Sequence, residues 1–244
     1  VEYFIAEVLN AQPQPLQHFL LQTSILSRLT GSLCNTITGR QDCATLLEVV
    51  ERAGLFLEAL EGAGQPEQWY RYHTLFAEAM RREALVRMGE EQLRIVAKSA
   101  SHWYEQHGLL AEAVNAALSA QEFERAALLI EHIYKTESFY ELHTLLHWLG
   151  QVPETVLTRH PELSFYEAHA LLFTFAENET IPLKSGRLNE RLQMAEECWR
   201  ASGNRARLGE VFALRTLVTW WQGEIRKAGE YAHQALELLP TALT

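Results

Sequence analysis

The 244 residues, 48% of them apolar and spread along the chain, suit one large or two small globular domains and exclude a disordered segment. A formal net charge of −10 excludes a segment that holds nucleic acid by itself, because neutralising phosphates needs a Lys/Arg surface. No apolar run approaches the length that crosses a bilayer, so no membrane partner is expected; no signal-peptide pattern opens the chain, though a fragment would not show one, and a cytoplasmic location is the expectation.

The chain starts at Val1 and reads as a piece of something longer. Tyr3, Phe4, Ile5, Val8 and Leu9 suggest a helix that ends at the breaker Gln12-Pro13-Gln14-Pro15. Pro15 starts the next helix, with an apolar stripe of Leu16, Phe19, Leu20 and Ile25. A third holds Leu33, Cys34 and Ile37 and stops at Gly39. Asp42 is the expected N-cap of a fourth, with Leu46, Leu47, Val50 and Ala53 inward and Gly54 at its end. Asp42 is also the only aspartate, whereas glutamate is abundant. Glutamate suits helix interiors and aspartate suits caps, turns and metal sites. The chain is therefore expected to be helix-rich, and short of material for Mg²⁺ or Ca²⁺ sites and for Asp-assisted triads.

The hydrophobic period then changes. Leu55-Phe56-Leu57-Glu58-Ala59-Leu60 and Trp69-Tyr70-Arg71-Tyr72 read as two strands, with a loop-type stretch between them. Helices, a hairpin and another helix outline a winged helix over roughly residues 12–88. The predicted division is a winged-helix domain at 1–89 and a TPR-like helical-repeat domain at 90–244. The fold class is mainly α, a winged helix followed by a TPR-like α-helical superhelix.

After Gly89 the helices recur. His102-Trp103-Tyr104-Glu105-Gln106-His107-Gly108 closes one, Ala111-Glu112-Ala113-Val114 opens the next, and Phe123-Glu124-Arg125-Ala126-Ala127 opens another. Ala113 and Ala126 stand where two helices approach closely. The spacing of Ala228, Ala232, Ala235 and Pro240 is that of the second helix of a tetratricopeptide repeat, although Phe212 stands nearest to the Trp expected in the preceding helix. Residues 176–186 read as a long inter-helix loop.

Few residues carry candidate chemistry. His73 lies at a strand-to-helix junction, where free N–H groups and the helix dipole favour anions. It reads either as a phosphate contact or as a histidine capping or packing at a helix start. His143 and His147 share a helix face, but Thr144 replaces the Glu of H-E-x-x-H and no third ligand is evident, so exposed helix histidines are expected and no metal. Trp199, Trp220 and Trp221, with Tyr166 and Tyr231, either line a ligand-binding face or pack between helices. Trp220 and Trp221 are the better ligand candidates, since adjacent helix positions cannot both face one core. Cys34, Cys43 and Cys198 lack C-x-x-C spacing and read as reduced, buried, intracellular thiols. Nothing supports Ser/His/Asp or Cys/His catalysis.

The segment Pro15 to Glu83, with Phe19-Leu20-Leu21-Gln22-Thr23-Ser24-Ile25-Leu26, Leu55-Phe56-Leu57 and Trp69-Tyr70-Arg71-Tyr72-His73-Thr74-Leu75-Phe76, resembles the large ATP-dependent transcriptional regulators typified by MalT. These are LuxR-family proteins by their DNA-binding end and STAND signal-transduction NTPases by their core. The similarity continues through Trp103-Tyr104-Glu105-Gln106-His107-Gly108, Leu146-His147-Trp148-Leu149, Pro153 and His160-Pro161-Glu162-Leu163, and weakens between Phe175 and Trp199. It implies a regulatory middle segment, winged helix plus the start of a helical sensor. A nucleotide-binding domain would lie upstream, because no P-loop occurs here, and a DNA reader downstream. The resemblance also implies ATP/ADP in the full-length protein and no cofactor in this segment. An inducer or regulatory protein would bind the repeats, and the full-length protein would self-associate. In such proteins a winged-helix histidine touches the β-phosphate of ADP and holds the resting state closed; His73 matches it by position. The alternative is a TPR-like protein-interaction adaptor with no nucleotide link. An enzyme domain is the third option, with no constellation behind it.

Overall fold

A computed structural model describes residues 7–60, 67–136, 141–176 and 186–239. The chain is mainly helical, with one two-stranded sheet among the described residues. It divides into two compact units, Val1–Glu122 and Phe123–Thr244.

In the first unit a short helical stretch at 7–10 leads to α1 (Gln14–Thr23), α2 (Gly31–Thr38) and α3 (Cys43–Arg52). The antiparallel strands β1 (Leu57–Leu60) and β2 (Trp69–Tyr72) follow, then α4 (Thr74–Met88), α5 (Glu90–Gln106) and α6 (Leu110–Ser119). This is the expected winged-helix order, with helices first, the hairpin next and a helix behind it. Residues 1–6 and most of the hairpin loop lie outside the described residues.

The apolar stripes fold as read, except that Ile25 lies past the end of α1 at Thr23. Phe19 and Leu20 of α1, Leu33 and Cys34 of α2, and Leu47 and Val50 of α3 are almost fully buried. Each large aliphatic removed from water contributes about 1.5–3 kcal/mol. Gly39 ends α2 at φ 71, and Gly54 follows α3 at φ 67; both conformations are cheap for glycine. Three local expectations need correction. Ala53 is exposed rather than inward. Asp42 occupies the N-cap position of α3 without capping it, because its carboxylate accepts from Arg40 Nε and Nη2 at 2.8 and 2.7 Å. The side chain of Asn35 does the satisfying, its Oδ1 accepting from Cys43 N at 3.1 Å. Finally, β1 is shorter than its sequence suggests. Phe56 adopts a left-handed conformation, φ 56, and the strand starts only at Leu57.

β2 is the centre of this unit. It pairs with β1 in the register Leu57↔Tyr72, Glu58↔Arg71, Ala59↔Tyr70 and Leu60↔Trp69. On its other edge Leu29 and Tyr70 exchange two backbone hydrogen bonds of 2.8 and 2.9 Å. Tyr70 and Tyr72 point into the core, and Tyr72 Oη shares a 2.8 Å hydrogen bond with Thr23 Oγ1 at the end of α1. Gly89, at φ 82, separates α4 from α5, where the helical repeats were expected to begin. α5 also packs on α2, and Tyr104 Oη donates to the Arg28 carbonyl at 2.6 Å, so the compact unit runs on past Gly89. Ser101 Oγ donates to the Ala113 carbonyl at 2.9 Å and ties α5 to α6.

The second unit holds α7 (Phe123–Thr136), α8 (Leu142–Leu149), the short α9 (Glu154–Leu157), α10 (Pro161–Ala176), α11 (Gly186–Ser202), α12 (Arg205–Trp221) and α13 (Ile225–Leu238). Ala126, Ala168, Ala195, Ala228 and Ala235 are buried where helices meet. Small residues let the backbones approach. Tyr134 of α7 and Tyr166 of α10 stack with ring centroids 3.8 Å apart. Phe212 fills the expected tryptophan position by stacking on Tyr231 across the α12–α13 hairpin, at 5.9 Å. Pro240 and the loop read at 176–186, apart from its two ends, lie outside the described residues. Cys34 and Cys43 are buried as expected, but Cys198 is exposed. Its neighbour Trp199 takes the core-facing position of α11, which turns Cys198 outward.

His160, in the turn before α10, is held between two helix-borne carboxylates. Its Nδ1 lies 2.9 Å from Glu131 and its Nε2 2.9 Å from Glu124, both on α7. Arg159 also pairs with Glu124, and Lys135 with Glu131. Only the imidazolium offers two N–H donors to this arrangement. Burial works against that charge, but the two carboxylates outweigh it and the pKa is raised.

Two outcomes are expected. Gly31 sits where α2 meets α3, and a Cβ there would lie 2.8 Å from Ala44 Cβ and 3.0 Å from its Cα. Backbone cannot swing aside, so Gly31→Ala lowers the stability of the first unit by about 1–3 kcal/mol, read as a shift in urea midpoint; an unchanged midpoint refutes the close approach. For His160 the folded pKa is the raised one. Its stabilisation is complete below the unfolded value near 6.5 and is lost as pH rises through the folded value. The thermal midpoint of the wild type should therefore fall relative to His160→Gln between about pH 6 and 8. Parallel curves would count against the clamp.

Candidate functional site

The alternation that buries Tyr70 and Tyr72 turns Trp69, Arg71 and His73 to the opposite face of β2. Trp69 is partly covered by Trp103, at 6.1 Å between centroids, and by the Arg28 guanidinium, 5.1 Å from its ring. Arg71 and His73 remain exposed. Arg71 donates through Nη2 and Nε to Glu58 Oε1 across the hairpin, at 2.6 and 3.1 Å. That bond holds the Glu58 carboxyl below its usual range, helped by the nearby His73.

His73 is the N-cap of α4. Its carbonyl accepts the first intrahelical bond, from Ala77 N at 2.9 Å, and its side chain makes no capping bond. No acidic residue stands in the first turn of α4. The N–H groups of a first helical turn have no partner in the helix. An exposed imidazole, an adjacent guanidinium and a helix N-terminus thus share one surface, and that combination favours a phosphate or carboxylate. The capping alternative for the His73 side chain loses its support, since no such bond forms.

Phe56 sets the angle of this junction. Its carbonyl accepts from His73 N at 2.8 Å, and its ring stacks on Phe76 in the first turn of α4 at 5.0 Å. A bulky residue at positive φ is strained by about 1–3 kcal/mol. The stack and the hydrogen bond offset that cost and fix the exit of β2 into α4. Nothing in the sequence marks Phe56 for this role, since Leu55 and Leu57 are both buried, as an unbroken alternating strand would also place them.

In the second unit the aromatic candidates separate. Trp199 is 3% exposed, packed on Phe165 at 5.4 Å and under the Arg207 guanidinium at 5.7 Å. Tyr166 is buried too. Trp220 is 56% exposed at the end of α12, and Trp221 is partly exposed. Trp220 thus offers the most open ring surface, while Trp221 and Tyr231 are each partly exposed. His143 and His147 are exposed on α8, and no cluster of three metal-ligating side chains occurs among the described residues.

Sequence reasoning missed a polar cavity of about 800 Å³ in this unit, walled by Glu154, Arg187, Arg191, Gln193, Met194 and Arg215. Behind it Glu167, 2% exposed, accepts from Arg191 Nε at 2.6 Å and from Arg187. Arg191, itself 5% exposed, also forks onto Glu154, whose carboxyl it holds below the usual range. The i, i+4 spacing of Arg187 and Arg191 was the available signal. Their partner Glu167, twenty and twenty-four positions away, was not legible.

A family model for the MalT winged helix domain matches residues 5–93. The whole chain is similar to HTH-type transcriptional regulators MalT. The protein of Vibrio cholerae serotype O1 is 30% identical over 241 residues, 98% of this chain and 26% of the relative. That of Klebsiella pneumoniae subsp. pneumoniae is 28% identical over 242 residues, 99% of this chain and 26% of the relative. That of Vibrio campbellii is 30% identical over 168 residues, 68% of this chain and 18% of the relative. The chain thus spans about a quarter of the length of the curated relatives it matches across its whole extent.

The ion network makes a sharp test. Arg191→Met leaves the buried Glu167 with Arg187 alone and should cost about 1.5–3 kcal/mol, whereas Arg191→Met with Glu167→Leu should recover part of it. The readout is the denaturation midpoint of the second unit. A double variant as unstable as the single one would mean that the arginine stabilises through contacts other than Glu167.

Proposed function

This chain is MalT-like, its residues 5–93 belonging to the MalT winged-helix family, and we propose on that premise that it is the regulatory middle segment of an ATP-dependent, LuxR-type transcriptional regulator. In this reading the winged helix latches a nucleotide-bound resting state, and the helices that follow sense an inducer or a partner protein. ATP or ADP is held by an upstream nucleotide-binding domain. This segment supplies no catalysis and no DNA contact of its own, and the full-length protein works in the cytoplasm and self-associates.

The observation that carries the reading is the surface at the start of α4. His73 is exposed, makes no capping bond, and stands beside Arg71 at the N-terminus of a helix. It is half of a phosphate site, and the other half belongs to the proposed upstream domain. A hydrogen bond to a charged group contributes roughly 1.5–3 kcal/mol. Moving a two-state switch from mostly off to mostly on takes about 5.5 kcal/mol. His73 would then supply a substantial share of the bias and leave the remainder to other contacts.

The alternative, a TPR-like adaptor with no nucleotide link, draws on the exposed Trp220, Ile225 and Leu236 around α12 and α13. It predicts no response of the chain's partners to nucleotide.

The decisive measurement is ADP affinity in a protein extended upstream through its nucleotide-binding domain. His73→Ala should weaken ADP binding about tenfold or more, with ATP less affected. Equal ADP affinity in the two proteins would remove the latch role from His73.

A further inference from the structure

α4 is apolar on two sides. Its inner face buries Phe76, Ala77, Met80 and Ala84. Its outer ridge carries Leu75, Ala79 and Val86, four and then seven positions apart and so in line along the helix. Leu75 is 67% exposed and Val86 80%, with Leu85 beside it at 51%. A helix with one face in solvent normally places polar residues there. Single exposed apolar side chains are ordinary, but a row of them marks an interaction surface. The exposed Glu78 and Arg82 flank the row, which gives an apolar centre a charged rim, as interfaces have.

Two observations point to the occupant. The ridge starts two residues after His73, the N-cap of α4, so it continues the exposed surface at that junction. At the other end of the helix Arg87 Nη2 donates to Asn10 Oδ1 at 2.8 Å, and its Nη1 donates to Gln17 Oε1 at 3.1 Å. The incoming chain is thereby pinned to the last turn of α4, the turn that carries Leu85 and Val86. A domain preceding this chain enters at one end of the ridge, and the phosphate contact proposed for His73 lies at the other. The 15 residues of α4 separate the two by about 22 Å, less than the diameter of a small domain. A body that reaches His73 from Asn10 must lie along the ridge.

We propose that the outer ridge of α4 is the docking surface of the upstream nucleotide-binding domain, which lays an apolar patch along Leu75, Ala79 and Val86 when it closes over His73. The inference rests on the regulatory reading above and adds the contact that reading leaves open. The phosphate contact at His73 aligns the domain, and the ridge supplies apolar area whose contribution does not depend on the nucleotide's charge. Attachment through the segment at Asn10 makes docking intramolecular, so a modest patch suffices.

The test is maleimide labelling of Val86→Cys, read on its own peptide by mass spectrometry. It is run in the protein extended upstream through its nucleotide-binding domain, with ADP bound, and in the 244-residue chain. Labelling should be about tenfold slower or more in the extended protein, since a domain closed about nine-tenths of the time protects about tenfold. Val49→Cys, at an exposed position of α3 away from the ridge, should label at the same rate in both. Equal rates for Val86→Cys in the two proteins, or equal protection of Val49→Cys, would overturn the proposal. So would labelling of Val86→Cys in the 244-residue chain that slows as its concentration rises, because the ridge would then face a second copy. The latch is read separately. Protection of Val86→Cys together with an ADP affinity that His73→Ala leaves unchanged supports the ridge and removes the latch; the converse removes the ridge alone.

Discussion

The period-two alternation of β2 is the constraint on which the first unit depends. Tyr70 and Tyr72 can be buried only if Arg71 and His73 face out, because successive strand residues point to opposite sides. A slip by one residue would expose two tyrosines and bury two titratable groups. The register is held from three sides. β1 pairs residue for residue, Leu29 bridges Tyr70 from the other edge, and Tyr72 Oη bonds to Thr23 at the end of α1. The left-handed Phe56 then turns the hairpin into α4 and seats its ring on Phe76. The exposed surface at His73 is therefore a by-product of core packing, which makes its geometry stiff without any bond to the imidazole itself.

Local signals were legible and long-range ones were not. Apolar stripes placed α1, α2 and α3, and Gly39, Gly54 and Gly108 marked ends that demand positive φ. The two strands were visible because bulky alternation differs from helical periodicity. Asp42 was misassigned because propensity names a good capping residue but cannot see that Arg40, two positions back, competes for the carboxylate. β1 was drawn too long because Phe56 is a strong strand former by composition; its conformation is imposed by Phe76, twenty positions away. Trp199 and Trp220 look alike in sequence and differ in structure only through helical phase. The strand-to-helix junction at His73 was legible because strand, histidine and helix start are contiguous. The ionic cavity in the second unit was not, because Glu154, Glu167, Arg191 and Arg215 come from four separate helices.

The second unit adds buried charge to its aromatic and aliphatic packing. Taking Glu167 and Arg191 out of water costs several kcal/mol per ion, and their attraction offsets that only when every oxygen and N–H is engaged. Here Glu167 receives two arginines, and Arg191 spreads over two glutamates. Such a network adds little net stability over apolar packing, but it tolerates only one arrangement of the helices that carry it. His160 does the same between α7 and the turn before α10, with the difference that its charge is removable near neutral pH.

The energetics of the proposed latch follow from exposure. An ion contact in open solvent contributes about 0–1 kcal/mol, because water screens it and competes for every donor. The same hydrogen bond in a site closed to water contributes roughly 1.5–3 kcal/mol. His73 and Arg71 are solvent-facing in the segment by itself, so an isolated winged helix would hold a phosphate weakly. In the proposed latch, affinity would arise when a second domain covers the junction and excludes water. Nucleotide contact and domain closure therefore reinforce each other. Each is weak alone, and the pair is strong, which is the condition for an all-or-none switch rather than a graded one. A histidine suits that role better than a second arginine. It adds a single directional N–H donor, so in the proposed latch the closed state would be favoured without holding phosphate too tightly for release.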